Sequence, residues 1–166
     1  ITFDDGLADN YRNAFPALTH LKLPATIFLA TSYIGTKRLF WSDALQAALT
    51  SGVDLAPVAK ILKDNGLTAV APLLANIPHA GPAQRERVSQ ITRGIKSAPK
   101  PIRESVLAEL APLLSERELA VPRQFLTWEE AAEMGRTGIT FGSHTHTHAP
   151  LPDLPEEAAA EDIAES

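Results

Sequence analysis

The sequence has 166 residues, of which 45% are hydrophobic and 21% charged, with a formal net charge of -5. This composition suits one globular domain, and the acidic balance argues against a nucleic-acid partner, because phosphate binding needs clustered Lys and Arg. The lack of cysteine excludes disulfides and thiolate metal sites, and no apolar run approaches the roughly 20 residues that span a bilayer.

The N-terminal 30 residues predict a βαβ unit. Residues 1–3 form an apolar run that ends at the turn Asp4-Asp5-Gly6, which is typical of a buried strand. Apolar residues at helical spacing follow in residues 10–23, where Pro16 either bends the helix or lies in its first turns. Residues 25–30 are a second continuous apolar strand. Strand, helix and strand in this order imply a parallel sheet with a right-handed crossover.

The middle of the chain, about residues 43–121, differs in pattern and predicts a helical insertion. Ser42 is a candidate N-cap for its first helix, and no strand-like run occurs. We interpret the insertion either as a lid or cap, or as peripheral helices that only lengthen the connection. Helical patterns cover residues 44–49, 58–62, 70–77, 85–95 and 102–114.

The sheet pattern resumes near the C-terminus. Thr127 is expected to cap a helix whose first turn carries two glutamates, which the helix dipole favours. A short strand over residues 139–142 leads directly into a histidine-rich segment, residues 143–148. A proline-rich loop follows, and residues 156–165 predict a further helix.

Two polar clusters come directly after predicted parallel strands, although about 140 residues separate them. One is Asp4-Asp5 and the other contains His144 and His148. Ligands bind at the carboxyl ends of parallel strands, and the spacing of four places both imidazoles on one side. Two histidines and one carboxylate form the ligand set of a catalytic zinc, and a second carboxylate could accept a proton from water.

Simpler interpretations exist for each cluster alone. A histidine-rich segment can be only a polar loop, and Asp-Asp-Gly is often only a turn; the joint pattern is what favours a metal site. His146, at odd spacing, should point away from the other two imidazoles. His20 and His79 lack partners in the sequence and are interpreted as incidental.

The motifs resemble those of a known family. Thr2-Phe3-Asp4-Asp5-Gly6 resembles the first motif of the polysaccharide deacetylases, also called the NodB homology domain or family four carbohydrate esterases. The segment from Ser143 to His148 resembles their second motif, His-Ser/Thr-x-x-His. The resemblance covers roughly residues 1–42 and 122–166, with further similar stretches at residues 13–16, 24–28 and 126–130.

The resemblance implies an α/β fold, a distorted (β/α) barrel, and a divalent metal, most often zinc. By position, Asp4 would be the general base, and Asp5, His144 and His148 the metal ligands. Thr145 would support the loop by hydrogen bonding. The implied reaction is hydrolysis of an N-acetyl or O-acetyl group on a carbohydrate substrate, in which the metal helps to hold the oxyanion.

The sequence departs from the family pattern after His148. A base-orienting Arg, an Asp-Trp motif and a late Leu-x-His with the general acid do not occur before Ser166. Because the sequence also opens inside a predicted strand, we expect it to be part of a longer protein, with an incomplete barrel and without full activity by itself. The whole of residues 1–166 is interpreted as one partial deacetylase domain.

Three other functions stay open from the sequence. The chain could belong to a C–N hydrolase of a small amide, or to a non-catalytic glycan- or metal-binding pseudoenzyme. The ligand set also occurs in non-haem iron oxygenases, although usually on antiparallel scaffolds. Localisation at the cell envelope, outside the cell or in the cytoplasm is equally compatible, and the oligomeric state is undetermined.

Overall fold

The fold was analysed in a computed structural model of the chain. The chain folds into two compact units. One is formed by Ile1–Arg38 together with Pro122–Ser166, and the other by Leu39–Val121. The second unit begins slightly before the start predicted for the helical insertion. The structure describes residues 1–50, 54–75, 77–78, 81–115 and 122–166.

Ten regular elements lie in the described residues, and none of the helices among them is both long and apolar enough to cross a membrane. In chain order they are β1 (Thr2–Phe3), α1 (Phe15–Leu21), β2 (Ala25–Leu29), α2 (Trp41–Thr50), α3 (Ala56–Asp64), α4 (Gly81–Lys96), α5 (Lys100–Ser115), α6 (Trp128–Gly135), β3 (Ile139–Ser143) and α7 (Glu156–Glu165).

The three strands form one parallel sheet in the order β1-β2-β3. This confirms the predicted parallel sheet and the α/β class. The described strands make an open sheet, and the barrel stays an expectation from the family resemblance. Since β2 lies in the middle, side chains at the ends of β1 and β3 must reach across two strand spacings, about 10 Å, to meet.

The central strand β2 alternates between buried and half-buried side chains, as a strand with two unequal faces should. Ala25, Ile27 and Leu29 lie in the core. On the other face Phe28 lies beside its register partner Gly142 in β3. A Cβ at Gly142 would lie 2.8 Å from the Phe28 ring, so any larger residue at position 142 would force this ring to move.

The starts of α1 and α6 in the first unit are explained by a proline and by a capping box. A π-helical turn, Asn10–Ala14, precedes α1, and Pro16 lies in the first turn of α1, where its missing N–H costs nothing. Thr127 caps α6 as predicted: its side chain accepts from the N–H of Glu130, and the Glu130 carboxylate accepts from the N–H of Thr127. This reciprocal capping box fixes where α6 starts.

The second unit has its own hydrophobic core, to which each of its four described helices contributes buried side chains. Two predictions here were wrong. The carbonyl of Phe40 accepts from the N–H groups of Asp43 and Ala44, so α2 begins at Trp41 and Ser42 lies inside it rather than at its N-cap. Where a helix was predicted over residues 70–77, the described residues of this range form only a short 3₁₀ turn, Ala71–Leu74; residue 76 lies outside the described residues. A short segment interrupted by prolines does not propagate a helix.

Candidate metal centre

Asp5 is held at the end of β1 by an unusual turn. Its φ is 73°, in the left-handed region that Asp tolerates better than most residues. Gly6 also has φ 73°, and its N–H donates to the carbonyl of Asp4 at 2.9 Å. A Cβ at Gly6 would lie 2.7 Å from Leu29 and 2.9 Å from Ile34. The left-handed conformation therefore favours glycine after Asp5, and a larger residue would also have to displace the side chains of Leu29 and Ile34.

A second segment supports this turn from the other side. The N–H of Leu126 donates to the carbonyl of Gly6 at 2.9 Å, and the N–H of Ala8 donates to the carbonyl of Gln124 at 2.7 Å. Leu7 and Phe125 lie opposite each other between these two hydrogen bonds as an antiparallel bridge. The residues around the Asp5 turn are thus tied to the segment that leads into α6.

The segment after β3 is a tight loop rather than a helical turn. The N–H of His144 donates to the carbonyl of Leu29 at 2.8 Å, which extends the pairing of β2 and β3 by one residue. Thr145 has φ 66° and His148 has φ 59°, so two residues of this short loop adopt the left-handed backbone conformation. The four-residue spacing brings the two imidazole rings to a centroid separation of 5.2 Å.

The structure brings Asp5, His144 and His148 together. Oδ1 of Asp5 lies 3.1 Å from Nε2 of His148 and 3.5 Å from Nε2 of His144. Among the described residues these three form the only group of at least three potential ligands with donor atoms all within 4.8 Å. Two ligands of a tetrahedral zinc ion with bonds of about 2.0–2.1 Å are about 3.3 Å apart. The donor types and their spacing therefore fit a divalent ion.

The loop carrying the histidines is fixed by a buried carboxylate that the sequence analysis missed. Asp162 in α7 is only 6% exposed. It accepts from the N–H of His146 at 2.9 Å, from the N–H of Thr147 at 3.0 Å, and from Oγ1 of Thr147 at 2.5 Å. Burial acts to raise the pKa of Asp162, but the hydrogen bonds from Thr147 and His146 outweigh it and lower that pKa below its ordinary value.

A signal for Asp162 exists in the sequence but is faint. Asp162 follows Ala158 by four residues and so shares the small-residue face of α7. An acidic residue on the inward face of an otherwise Ala- and Glu-rich helix indicates a buried hydrogen-bond acceptor. The sequence does not indicate which groups donate to it, because the donors lie about 15 residues earlier.

The segment after β2 supports the same loop. The N–H groups of Thr31 and Ser32 donate to the carbonyls of Thr145 and His146, at 3.3 and 3.0 Å. Oγ1 of Thr31 lies 2.9 Å from Nδ1 of His146, and Nε2 of His146 lies 3.6 Å from Glu165. His146 thus contacts Thr31 and Glu165 and is not one of the three clustered donors.

The other residues singled out in the sequence lie outside the cluster of three donors. Asp4 is exposed beside Asp5. Thr145 takes part in the hydrogen bonding of the loop through its backbone: its N–H donates to Oγ of Ser143 and its carbonyl accepts from the N–H of Thr31. Its buried Oγ1 has no hydrogen-bond partner among the described residues. His20 is exposed near the end of α1, and His79 lies outside the described residues.

The comparisons with known proteins agree with the motifs. A 69-residue stretch is 36% identical to the Bacillus subtilis (strain 168) protein named "Putative polysaccharide deacetylase YxkH", and covers 41% of this chain and 25% of that protein. The chain thus matches only a quarter of that relative's length. No solved structure matches it significantly.

The sequence profile of the family described as Polysaccharide deacetylase matches residues 1–166. The match includes the helical segment that the motif comparison left outside the resemblance. Because it extends over the whole sequence, the chain belongs to the polysaccharide deacetylase family.

Proposed function

We propose that the protein containing this chain is a divalent-metal-dependent hydrolase that removes acetyl groups from an amino-sugar polysaccharide or glycan. The observation that carries the proposal is the convergence of Asp5, His144 and His148 at 3.1–3.5 Å over the carboxyl ends of parallel strands. Membership of the polysaccharide deacetylase family supplies the substrate class. The family also implies a distorted barrel, to which the described sheet would contribute three strands.

The proposed ligands are Asp5, His144 and His148, and zinc is the metal that two imidazoles and one carboxylate favour among ions without redox chemistry. All three side chains are half-buried, so the site has access to solvent and to a polymer. When bound, the ion would acidify a water molecule and polarise the acetyl carbonyl.

The two adjacent aspartates are proposed to have separate roles. The left-handed backbone at Asp5 places its carboxylate beside the imidazoles. Asp4, one residue earlier and exposed, would remain outside the ligand set and accept the proton from the attacking water as general base. A base placed within hydrogen-bond reach of that water contributes about 10²- to 10⁴-fold to the rate.

The test uses the full-length protein after chelation and reloading with zinc, with acetate release from a chitin oligomer as the assay. We expect Asp5→Asn to weaken zinc binding strongly. Asp4→Asn should keep zinc affinity but lower kcat by about 10²- to 10⁴-fold. Asp9→Asn is the matched control, because Asp9 is an exposed acid on the same segment.

Several results would contradict the proposal. If Asp5→Asn left the zinc affinity unchanged, Asp5 would not be a ligand and the proposed metal site would be contradicted. A zinc-loaded protein that releases no acetate from any acetylated glycan, but hydrolyses small amides, would instead be a C–N hydrolase of small substrates. Glycan binding without turnover, unaffected by Asp4→Asn, would indicate a pseudoenzyme.

A further inference from the structure

Trp128 is the one aromatic side chain among the described residues that is exposed; the other Phe, Tyr and Trp side chains are buried or half-buried. Its exposed fraction is 52%. Isolated exposed aliphatic residues are common on soluble proteins, but a large indole in solvent has an apolar surface that costs free energy unless something covers it. The exposure of Trp128 therefore indicates a binding role only if the position of the side chain suggests which ligand covers it.

The position of Trp128 is the same edge of the sheet as the candidate metal centre. Trp128 is the first residue of α6, which leads into β3, and a helix preceding a parallel strand begins at the edge where that strand ends. Leu126, two residues earlier, is hydrogen-bonded through its N–H to Gly6, the neighbour of Asp5. Its carbonyl accepts from the N–H of Gly35 at 2.8 Å.

The backbone that carries the indole is fixed by a capping box, and one edge of the ring lies near Gly35. A Cβ built on Gly35 would be 3.7 Å from Cδ1 of Trp128, so one edge of the ring lies over this glycine. The capping box of Thr127 and Glu130 fixes the backbone on which Trp128 stands. Glu130 is itself paired with Arg123 at 2.6 Å. A rigid backbone reduces the entropy lost when a ligand packs on the side chain.

We propose that Trp128 is a substrate-binding residue that stacks against a sugar ring of the acetylated glycan. The inference rests on the proposed function, because it assumes that the acetylated glycan binds at the edge of the sheet that carries the candidate metal centre. A pyranose ring presents a flat face of C–H groups, which packs on an indole while its hydroxyls stay in water. Aromatic residues supply such contact area at small entropic cost and dominate the energy of many binding sites.

The proposal predicts an effect that depends on the substrate. In the full-length zinc-loaded protein, Trp128→Ala should raise KM for a chitin oligomer about tenfold, which is the scale of one well-packed aromatic contact. The change in kcat should be smaller, and hydrolysis of a small acetyl ester without a sugar ring should be unchanged. Trp128→Tyr should restore most of the affinity.

Leu21→Ala is the matched control. Leu21 is 61% exposed and lies at the C-terminal end of α1, away from the carboxyl ends of the strands. Its removal deletes comparable exposed apolar surface and should leave both substrates unaffected. An equal loss in Leu21→Ala, or an equal loss of the small ester in Trp128→Ala, would overturn the proposal in favour of a structural role.

A binding readout separates this inference from the proposed reaction. The chain contains two tryptophans, so Trp41→Phe leaves Trp128 as the only one in this part of the protein. In the full-length Trp41→Phe protein, a chitin oligomer should shift the tryptophan emission, and this shift should be missing when Trp128→Phe is added. A shift without acetate release by the full-length protein would support the stacking and contradict the reaction. Acetate release with no shift at saturating oligomer would overturn the stacking alone.

Discussion

Replacing Asp162 with Asn tests whether this carboxylate holds the histidine loop. Its two oxygens accept three hydrogen bonds, from the N–H of His146 and from the N–H and hydroxyl of Thr147. An amide can keep one oxygen in place, but its NH₂ group then faces an N–H donor. Hydrogen bonds to a charged group are worth about 1.5–3 kcal/mol each. Losing one of these hydrogen bonds and weakening the other two should lower the free energy of unfolding by about 3 kcal/mol.

The assay has two parts, equilibrium urea unfolding of the metal-free protein and a chelator-competition titration with zinc. Removing a group that orients the ligands of a metal commonly weakens binding 10- to 100-fold, and we expect about tenfold here. Glu161→Gln is the control, because it removes the same charge from the adjacent, exposed position of α7. The control should change neither quantity.

The pH dependence gives a further check on the same variant. The pKa of Asp162 is lowered in the folded protein, so its stabilising contribution is complete above the unfolded value of about 3.9 and disappears as the pH falls through the folded pKa. The stability difference between the wild type and Asp162→Asn should therefore shrink below about pH 4. Equal stability and equal zinc affinity of the two proteins at neutral pH would refute the reasoning.

Two further predictions concern the sheet and α6. Gly142→Ala should destabilise the protein by about 1–3 kcal/mol, because its Cβ would meet the Phe28 ring at 2.8 Å. Adding Phe28→Leu should recover part of that loss in a double-mutant cycle of thermal unfolding, and strictly additive effects would contradict the clash. Thr127→Ala should cost about 1 kcal/mol through loss of the cap, whereas Thr127→Ser should restore it, as urea unfolding can measure.

Much of the fold was predictable because its signals are local. The apolar strands, the helical spacing before β2, and Thr127 with its glutamates each follow from a few neighbouring residues. The convergence of Asp5 with His144 and His148 was predictable for a different reason: parallel strands put their carboxyl ends at one edge, so two distant clusters meet. The roles assigned to these residues stay predictions.

What the sequence could not supply depends on tertiary contacts. The role of Asp162 requires knowing that α7 packs against the histidine loop. The start of α2 at Trp41 depends on which carbonyl accepts the first helical hydrogen bond, and Ser42 alone does not decide that. Likewise, no local signal in the sequence indicates that the buried Oγ1 of Thr145 has no hydrogen-bond partner among the described residues.

Among the described residues, three of the four non-glycine residues with positive φ are Asp5, Thr145 and His148. Left-handed torsions cost about 1–2 kcal/mol for an ordinary side chain, and a β-branched residue such as Thr145 is least suited to them. A screen for heat resistance would thus favour glycine or asparagine at these positions, while a screen for turnover would retain the present residues. Selection for thermal stability and selection for catalytic activity would therefore favour different residues at positions 5, 145 and 148.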